Sequence, residues 1–161
     1  AWYSAVTSEE TPTALVLTRQ NLPQLAGSSK KALKGGYVIA DSSKETPDAI
    51  LIASGSEVSL SIEAKEALAK EGIDVRVVSM PCMDIFEKQS DEYKEKVLPK
   101  TVRARVAVEA LSEFGWGKYV GLDGKTVCLD RFGASAPADV LFKEFGFTVE
   151  NVVKAVKEVI K

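Results

Sequence analysis

Ala49-Ile50-Leu51-Ile52-Ala53 runs directly into Ser54-Gly55-Ser56-Glu57, and a helical pattern then continues to Lys70. This stretch decides the fold. Five consecutive apolar residues leave no polar side, so the run reads as a strand covered on both faces. In the following segment Ser59, Glu63, Glu66 and Lys70 fall four, three and four apart and form one narrow solvated stripe. Val58, Ile62, Leu68 and Ala69 are expected on the far side, and Glu66 with Lys70 makes an i,i+4 pair in the favourable order. A buried strand followed by an amphipathic helix is the unit of a parallel sheet.

Working outward, the same alternation recurs. Tyr37-Val38-Ile39 is short and reads as an edge strand; Val75–Val78, Arg105–Val108 and Thr126–Leu129 read as further strands. Near the end, Val149, Val152, Val153, Val156, Val159 and Ile160 make one apolar stripe, with Glu150, Lys154, Lys157 and Lys161 opposite. Thr148 is placed as its N-cap, and Phe147 with Val152 as a hydrophobic staple. β-Branched residues are mediocre helix formers, so packing must hold this helix. The expected architecture is a three-layer α/β/α domain around a mostly parallel five-stranded sheet, with helices on both faces.

The amino-terminal part reads differently. Ala1–Val6 has no initiator methionine and resembles the tail of an apolar-faced helix, and Ala14-Leu15-Val16-Leu17 is a short apolar run of strand type. Gln20–Lys34, with a proline, serines and a glycine, resembles a linker more than a packed element. The division that follows is 1–22 as the tail of a preceding domain and the start of a linker, 23–36 as linker, and 37–161 as the main domain.

Composition narrows the function classes. A hydrophobic share of 45% with 27% charged residues is ordinary for a globular domain, and 161 residues suit one core. The net charge is −2 with signs interspersed, which speaks against nucleic acid or an acidic membrane as partner. No apolar run approaches a membrane span. The two cysteines, Cys82 and Cys128, lie far apart, and there is no histidine. Zinc therefore lacks ligands, Ser-His and Cys-His nucleophiles are excluded within the chain, and free thiols in a reducing cytoplasm are expected.

Four loops could carry chemistry. Ser54–Glu57 sits where a strand meets a helix, a place for a phosphate on free N–H groups. The alternative is a tight turn in which Ser56 caps the helix and Glu57 complements its dipole; without G-x-G-x-x-G or a P-loop lysine this reading is preferred. Asp130-Arg131 at a strand end could bind a ligand, yet an Asp-Arg pair beside a buried aromatic is common scaffolding, and Pro137 suits a first helical turn. Phe114–Tyr119 is an aromatic-glycine cluster suited to packing or an interface. Arg19, ending a strand inside an irregular segment, has the fork to hold a phosphate or carboxylate, with a structural salt bridge as the competing role.

Together these loops resemble one family. Thr18-Arg19-Gln20-Asn21-Leu22-Pro23, Gly55–Ser59, Gly115–Tyr119, Asp130–Pro137 and Phe145-Gly146-Phe147-Thr148 occur in the order and spacing of transketolases. The chain resembles their last part, beginning just before the end of the pyrimidine-binding domain. That resemblance implies a parent enzyme that moves a two-carbon ketol unit between ketose and aldose phosphates in the pentose phosphate pathway. It further implies thiamine diphosphate and a divalent metal (Mg or Ca), a cytoplasmic homodimer, and remaining domains that carry the cofactor, the activating glutamate and the histidines. No cofactor or metal ligand and no catalytic residue is expected on this chain; Arg19 alone matches a family residue that grips substrate phosphate. Leu111-Ser112-Glu113 and Cys82-Met83 depart from the usual family residues at those loops. Two other readings compete. One is the equivalent domain of a 2-oxo acid dehydrogenase beta subunit or deoxyxylulose-phosphate synthase. The other is a stand-alone doubly wound anion- or nucleotide-binding module using Ser54–Glu57.

Overall fold

The computed structural model describes residues 1–160. Five strands form one sheet: β1 (Tyr37–Ala40), β2 (Ala49–Ala53), β3 (Val75–Ser79), β4 (Arg105–Glu109) and β5 (Lys125–Cys128). Their order is β1-β3-β2-β4-β5, which puts the all-apolar strand at the centre. β2 pairs in parallel with β3 and β4, and β4 with β5, while β1 closes one edge antiparallel to β3 with a register break between Val38 and Ala40. The sheet is therefore mostly parallel, as the alternation predicts.

Period-2 geometry splits the central strand between two cores. Ala49, Leu51 and Ala53 face a layer built from α2 (Glu57–Lys70) and α7 (Val149–Val159). Ile50 and Ile52 face the other layer, where Phe86 of α3 (Met83–Glu87), Val97 of α4 (Asp91–Val97), and Trp116 with Tyr119 beside α5 (Gly117–Val120) pack. Ile50, Leu51 and Ile52 are fully buried; each contributes roughly 1.5–3 kcal/mol before ordering entropy.

The last helix matches its reading closely. Thr148 accepts a hydrogen bond from Asn151 N at 3.3 Å, and Phe147 and Val152 are both buried in the same cluster. Glu150, Lys154 and Lys157 are exposed on the other side, and Lys161 lies outside the described residues. The joint from α6 (Ala138–Glu144) into α7 is a Schellman turn: Gly146 N donates to Lys143 O at 3.2 Å and Phe147 N to Phe142 O at 2.7 Å. The Phe142 and Phe147 rings, 5.4 Å apart, supply the apolar contact of that motif. Gly146 sits at φ 81°, where a Cβ is strained.

Several expectations change. The buried stripe of α2 is Glu57, Val58, Ser61, Ala64 and Leu68, whereas Ala69 is exposed. Ser61 is tolerated inside because its hydroxyl donates to Glu57 O at 2.9 Å. Residues 14–17 join no strand among the described residues: Val16 is 91% exposed and Leu17 is exposed too, so the run meets neither a ladder partner nor a core here. The first helix, α1 (Trp2–Val6), likewise leaves Trp2, Tyr3 and Val6 exposed. The downstream half of the irregular segment is docked. Leu25 packs against the core, Gly36 O accepts from Tyr93 Oη at 2.9 Å, and a Cβ on Gly35 (φ 81°) would lie 2.3 Å from Phe86 N. Pro137 is the residue before α6, one position earlier than expected, and its φ of −54° suits that entry.

Candidate functional site

From β2 the chain crosses to β3 on one side, and β4 lies on the other. The carboxyl ends of β2 and β4 therefore flank the switch point at which open α/β sheets hold ligands. Ser54, Gly55, Ser56 and Glu57 arrive there from β2, and Glu109 and Ala110 from β4. The two glutamates fill the position themselves. Glu57 is 4% exposed; its Oε1 accepts from Ser56 Oγ at 2.5 Å and its Oε2 from Ala110 N at 3.2 Å. Glu109 accepts from Ser54 Oγ at 2.5 Å through Oε1 and from Trp116 Nε1 at 2.8 Å through Oε2.

The turn reading holds in part: Ser54–Glu57 closes as a tight turn and Glu57 stands in the first turn of α2. Ser56 precedes the helix, but its hydroxyl goes to Glu57 instead of capping an N–H, and its backbone is already helical. Glu57 is also a buried tie between the start of α2 and the end of β4. Burial raises its pKa; the bonds from Ser56 and Ala110 oppose this, and the nearby Glu109 charge adds to it. Two carboxylates at one crevice repel a phosphate. The helix's first N–H groups are also engaged, Glu57 N with Ser54 O at 3.2 Å and Val58 N with Gly55 O at 3.5 Å.

The other loops are structural ties of the same kind. The aromatic-glycine cluster divides: Trp116 is fully buried, Tyr119 donates to Glu87 Oε1 at 2.8 Å, and Phe114 is 97% exposed. Lys118 bridges to Glu87 at 2.5 Å and holds that carboxyl below its ordinary range. Asp130 and Arg131 go to different partners instead of to each other. Asp130 Oδ1 accepts from Ser112 Oγ and Glu113 N, both at 3.1 Å, and Arg131 lies 5.5 Å over the Phe145 ring. The neighbouring Phe132 is 96% exposed, and the aromatic beside Arg131 is the partly buried Phe145. Both cysteines are free, and burial pushes the Cys128 thiol up to about 12, which leaves it protonated at neutral pH. Arg19 is exposed in a segment without regular structure, and among the described residues no hydrogen bond or ion pair ties it to the switch point.

Sequence reasoning found the turn at Ser54–Glu57 but missed its partner Glu109. The available signal was an acidic residue directly after the buried apolar run Val106-Ala107-Val108. It also missed α3 and α4, although Ser90 ahead of Asp91-Glu92 is an N-cap pattern, and Ser90 Oγ does accept from Tyr93 N.

Fold and crevice thus define a doubly wound α/β domain in which the usual ligand position is occupied by the protein's own side chains. The chain belongs to the Transketolase-like TK C-terminal domain family, whose family model matches residues 35–148. It is 61% identical over 164 residues to the transketolase of Bacillus subtilis, covering 99% of this chain and 25% of that protein. It is 55% identical over 161 residues to the chloroplastic transketolase of Solanum tuberosum, covering 99% and 22%. Among solved structures, transketolase from Leishmania mexicana superposes with a TM-score of 0.92 at 46% identity, covering 99% of this chain and 23% of that one. The Pichia stipitis transketolase in complex with sedoheptulose 7-phosphate gives 0.90 at 48% identity, covering 98% and 23%. The chain thus spans about a quarter of the length of the relatives it matches.

Proposed function

We propose that this chain serves as the carboxy-terminal domain of a transketolase, an enzyme that transfers a two-carbon ketol unit between ketose and aldose phosphates. The identity of 61% across 99% of the chain carries this reading. In it, residues 1–22 belong to the end of the pyrimidine-binding domain, 23–36 form the linker, and 37–161 are the domain proper; the family match beginning at residue 35 supports that boundary. The domain itself is noncatalytic and supports a homodimer. Its residues do not fit the enzyme's cofactor. Carboxylates close the switch point against a diphosphate, and no group of three or more Cys, Asp or Glu side chains is placed for a metal among the described residues. In this reading thiamine diphosphate and its Mg or Ca ion belong to the rest of the parent enzyme. No described helix is long and apolar enough to cross a membrane, and the free thiols fit a reducing cytoplasm.

Arg19 is the one residue assigned to substrate, as a charged fork on the sugar phosphate. Its exposure leaves the guanidinium open to a ligand presented from outside the described residues. The test is Arg19→Ala in the full-length enzyme, with kcat/KM compared for phosphorylated and nonphosphorylated donors. Losing one charge-assisted contact costs about 1.5–3 kcal/mol, a fall of roughly ten- to a hundredfold confined to phosphorylated substrates. Equal loss for both classes would make Arg19 a structural residue.

A further inference from the structure

At the opposite end of β4 from the glutamates, a pocket of about 190 Å³ lies between the loop entering the strand and the turn after α5. Four cations line it, Lys100, Arg103, Arg105 and Lys118, against one carboxylate, Asp123, among the described lining residues. That balance runs against a chain whose net charge is −2. Arg105 is half-buried and held by four main-chain oxygens. Its Nε donates to Val102 O at 2.8 Å, Nη1 to Tyr119 O at 2.8 Å, and Nη2 to Leu98 O at 3.2 Å and Pro99 O at 2.8 Å. Those carbonyls fix the guanidinium without cancelling its charge; among the described residues it forms no ion pair within 4.0 Å, and Glu95, which lies outside the lining, is the carboxylate that acts on it.

The remaining charges are arranged in the same sense. Arg103 is paired with Asp123 inside the pocket. Lys118 is paired with Glu87 at 2.5 Å and Lys100 with Glu95 at 4.0 Å, and both of those carboxylates lie outside the lining. A concave site walled mainly by one sign of charge, here four cations to one carboxylate, concentrates counter-ions. Its volume falls below the roughly 300–1,000 Å³ of sites for larger organic ligands, so it suits a small anion and not a nucleotide. With four of its five N–H donors on carbonyls, Arg105 supplies chiefly charge, and the direct donors to a tetrahedral oxyanion are Arg103, Lys100 and Lys118.

We propose that this pocket binds a small oxyanion of the phosphate type, either inorganic phosphate or the phosphate group of a small ester. It shares no residue with the Arg19 reading and stands independently of it. The test follows amide resonances of the uniformly ¹⁵N-labelled chain during titration with inorganic phosphate, with ionic strength held constant by chloride. Saturable shifts confined to residues 98–105 and 117–124 are expected, with sulfate competing and chloride inert. The double variant Arg103→Gln, Lys118→Gln changes two largely exposed side chains, keeps the amide spectrum of the folded chain, and weakens binding by at least about tenfold. Lys100→Gln, also exposed, provides an independent variant with a smaller loss. Repeating the titration with glycerol 3-phosphate separates the sources: tighter binding identifies an ester, and equal binding identifies free phosphate. Shifts that never saturate, shifts spread over the whole surface, or wild-type affinity in the double variant would overturn the proposal.

Discussion

Replacing Trp116 by phenylalanine tests whether the closed switch point holds the two layers of the domain together. The indole is fully buried and donates from Nε1 to Glu109 Oε2 at 2.8 Å. Phenylalanine deletes that donor and two ring carbons. A hydrogen bond to a charged acceptor contributes about 1.5–3 kcal/mol, and two buried carbons about 0.8 kcal/mol each. The expected loss is therefore about 3–4.5 kcal/mol, or a fall in Tm of roughly 6–18 °C for a domain of this size. Urea unfolding followed by far-UV circular dichroism gives the free energy, and a double-mutant cycle divides it. Glu109→Leu removes the acceptor and leaves the buried Nε1–H unpaired, so Trp116→Phe in that background costs at most the packing loss of about 1.6 kcal/mol. The coupling then contains the hydrogen bond together with the cost of the unpaired donor. If Trp116→Phe costs the same with and without Glu109, to within about 0.5 kcal/mol, the bond carries no stability and the reasoning fails.

Gly146→Ala places a Cβ at φ 81°, 3.3 Å from Asn151 Nδ2, which itself donates to Gly146 O at 2.9 Å. It costs about 1–2 kcal/mol in the same unfolding assay, whereas Gly115→Ala, whose Cβ would meet only Met83 at 3.5 Å, stays within about 0.5 kcal/mol; equal effects would remove the Schellman joint from the account. Glu57 has a folded pKa above its ordinary 4.5, chiefly through burial, so its stabilising share is complete below that value and is lost as pH rises through the folded pKa. Asp48, held low by Lys44, and Glu87, held low by Lys118, act with the opposite sign, and their window lies below the ordinary carboxylate range. Glu57→Gln consequently flattens the decline in stability above pH 4.5 and leaves the acid limb unchanged, and a stability profile parallel to that of the parent chain would contradict the burial argument.

The fold was legible where one residue's neighbours in sequence decide its environment. Ala49–Ala53 announces a central strand because all five positions are apolar, and Val149–Val159 announces its burial through a single stripe and a capping threonine. Legibility failed where the deciding partner is distant. Glu57 at the start of a helix reads as a dipole complement, but its burial under Ala110, 53 residues away, is not visible there. Ala69 looks apolar enough to be inside, but Ser61, bonded to its own helix, takes the inward position. Ala14-Leu15-Val16-Leu17 has strand composition, and composition alone cannot supply the ladder partner that a strand needs. Asp130 and Arg131 stand side by side in sequence yet answer to Ser112 and Phe145 respectively.

The span of these ties also bears on how quickly the domain assembles. Asp48 and Asp74, which join the entries of β2 and β3, are 26 residues apart, whereas Ser54 and Glu109, which join the exits of β2 and β4, are 55 apart. Loop-closure entropy grows with separation, and pairings of high sequence separation slow folding. The β2-α2-β3 unit can therefore form from nearby chain, while the docking of β4 waits on a longer excursion through α3 and α4. Docking of β4 is what brings Glu109 onto Ser54 and Ala110 onto Glu57, and it pairs the remaining edge of the central strand.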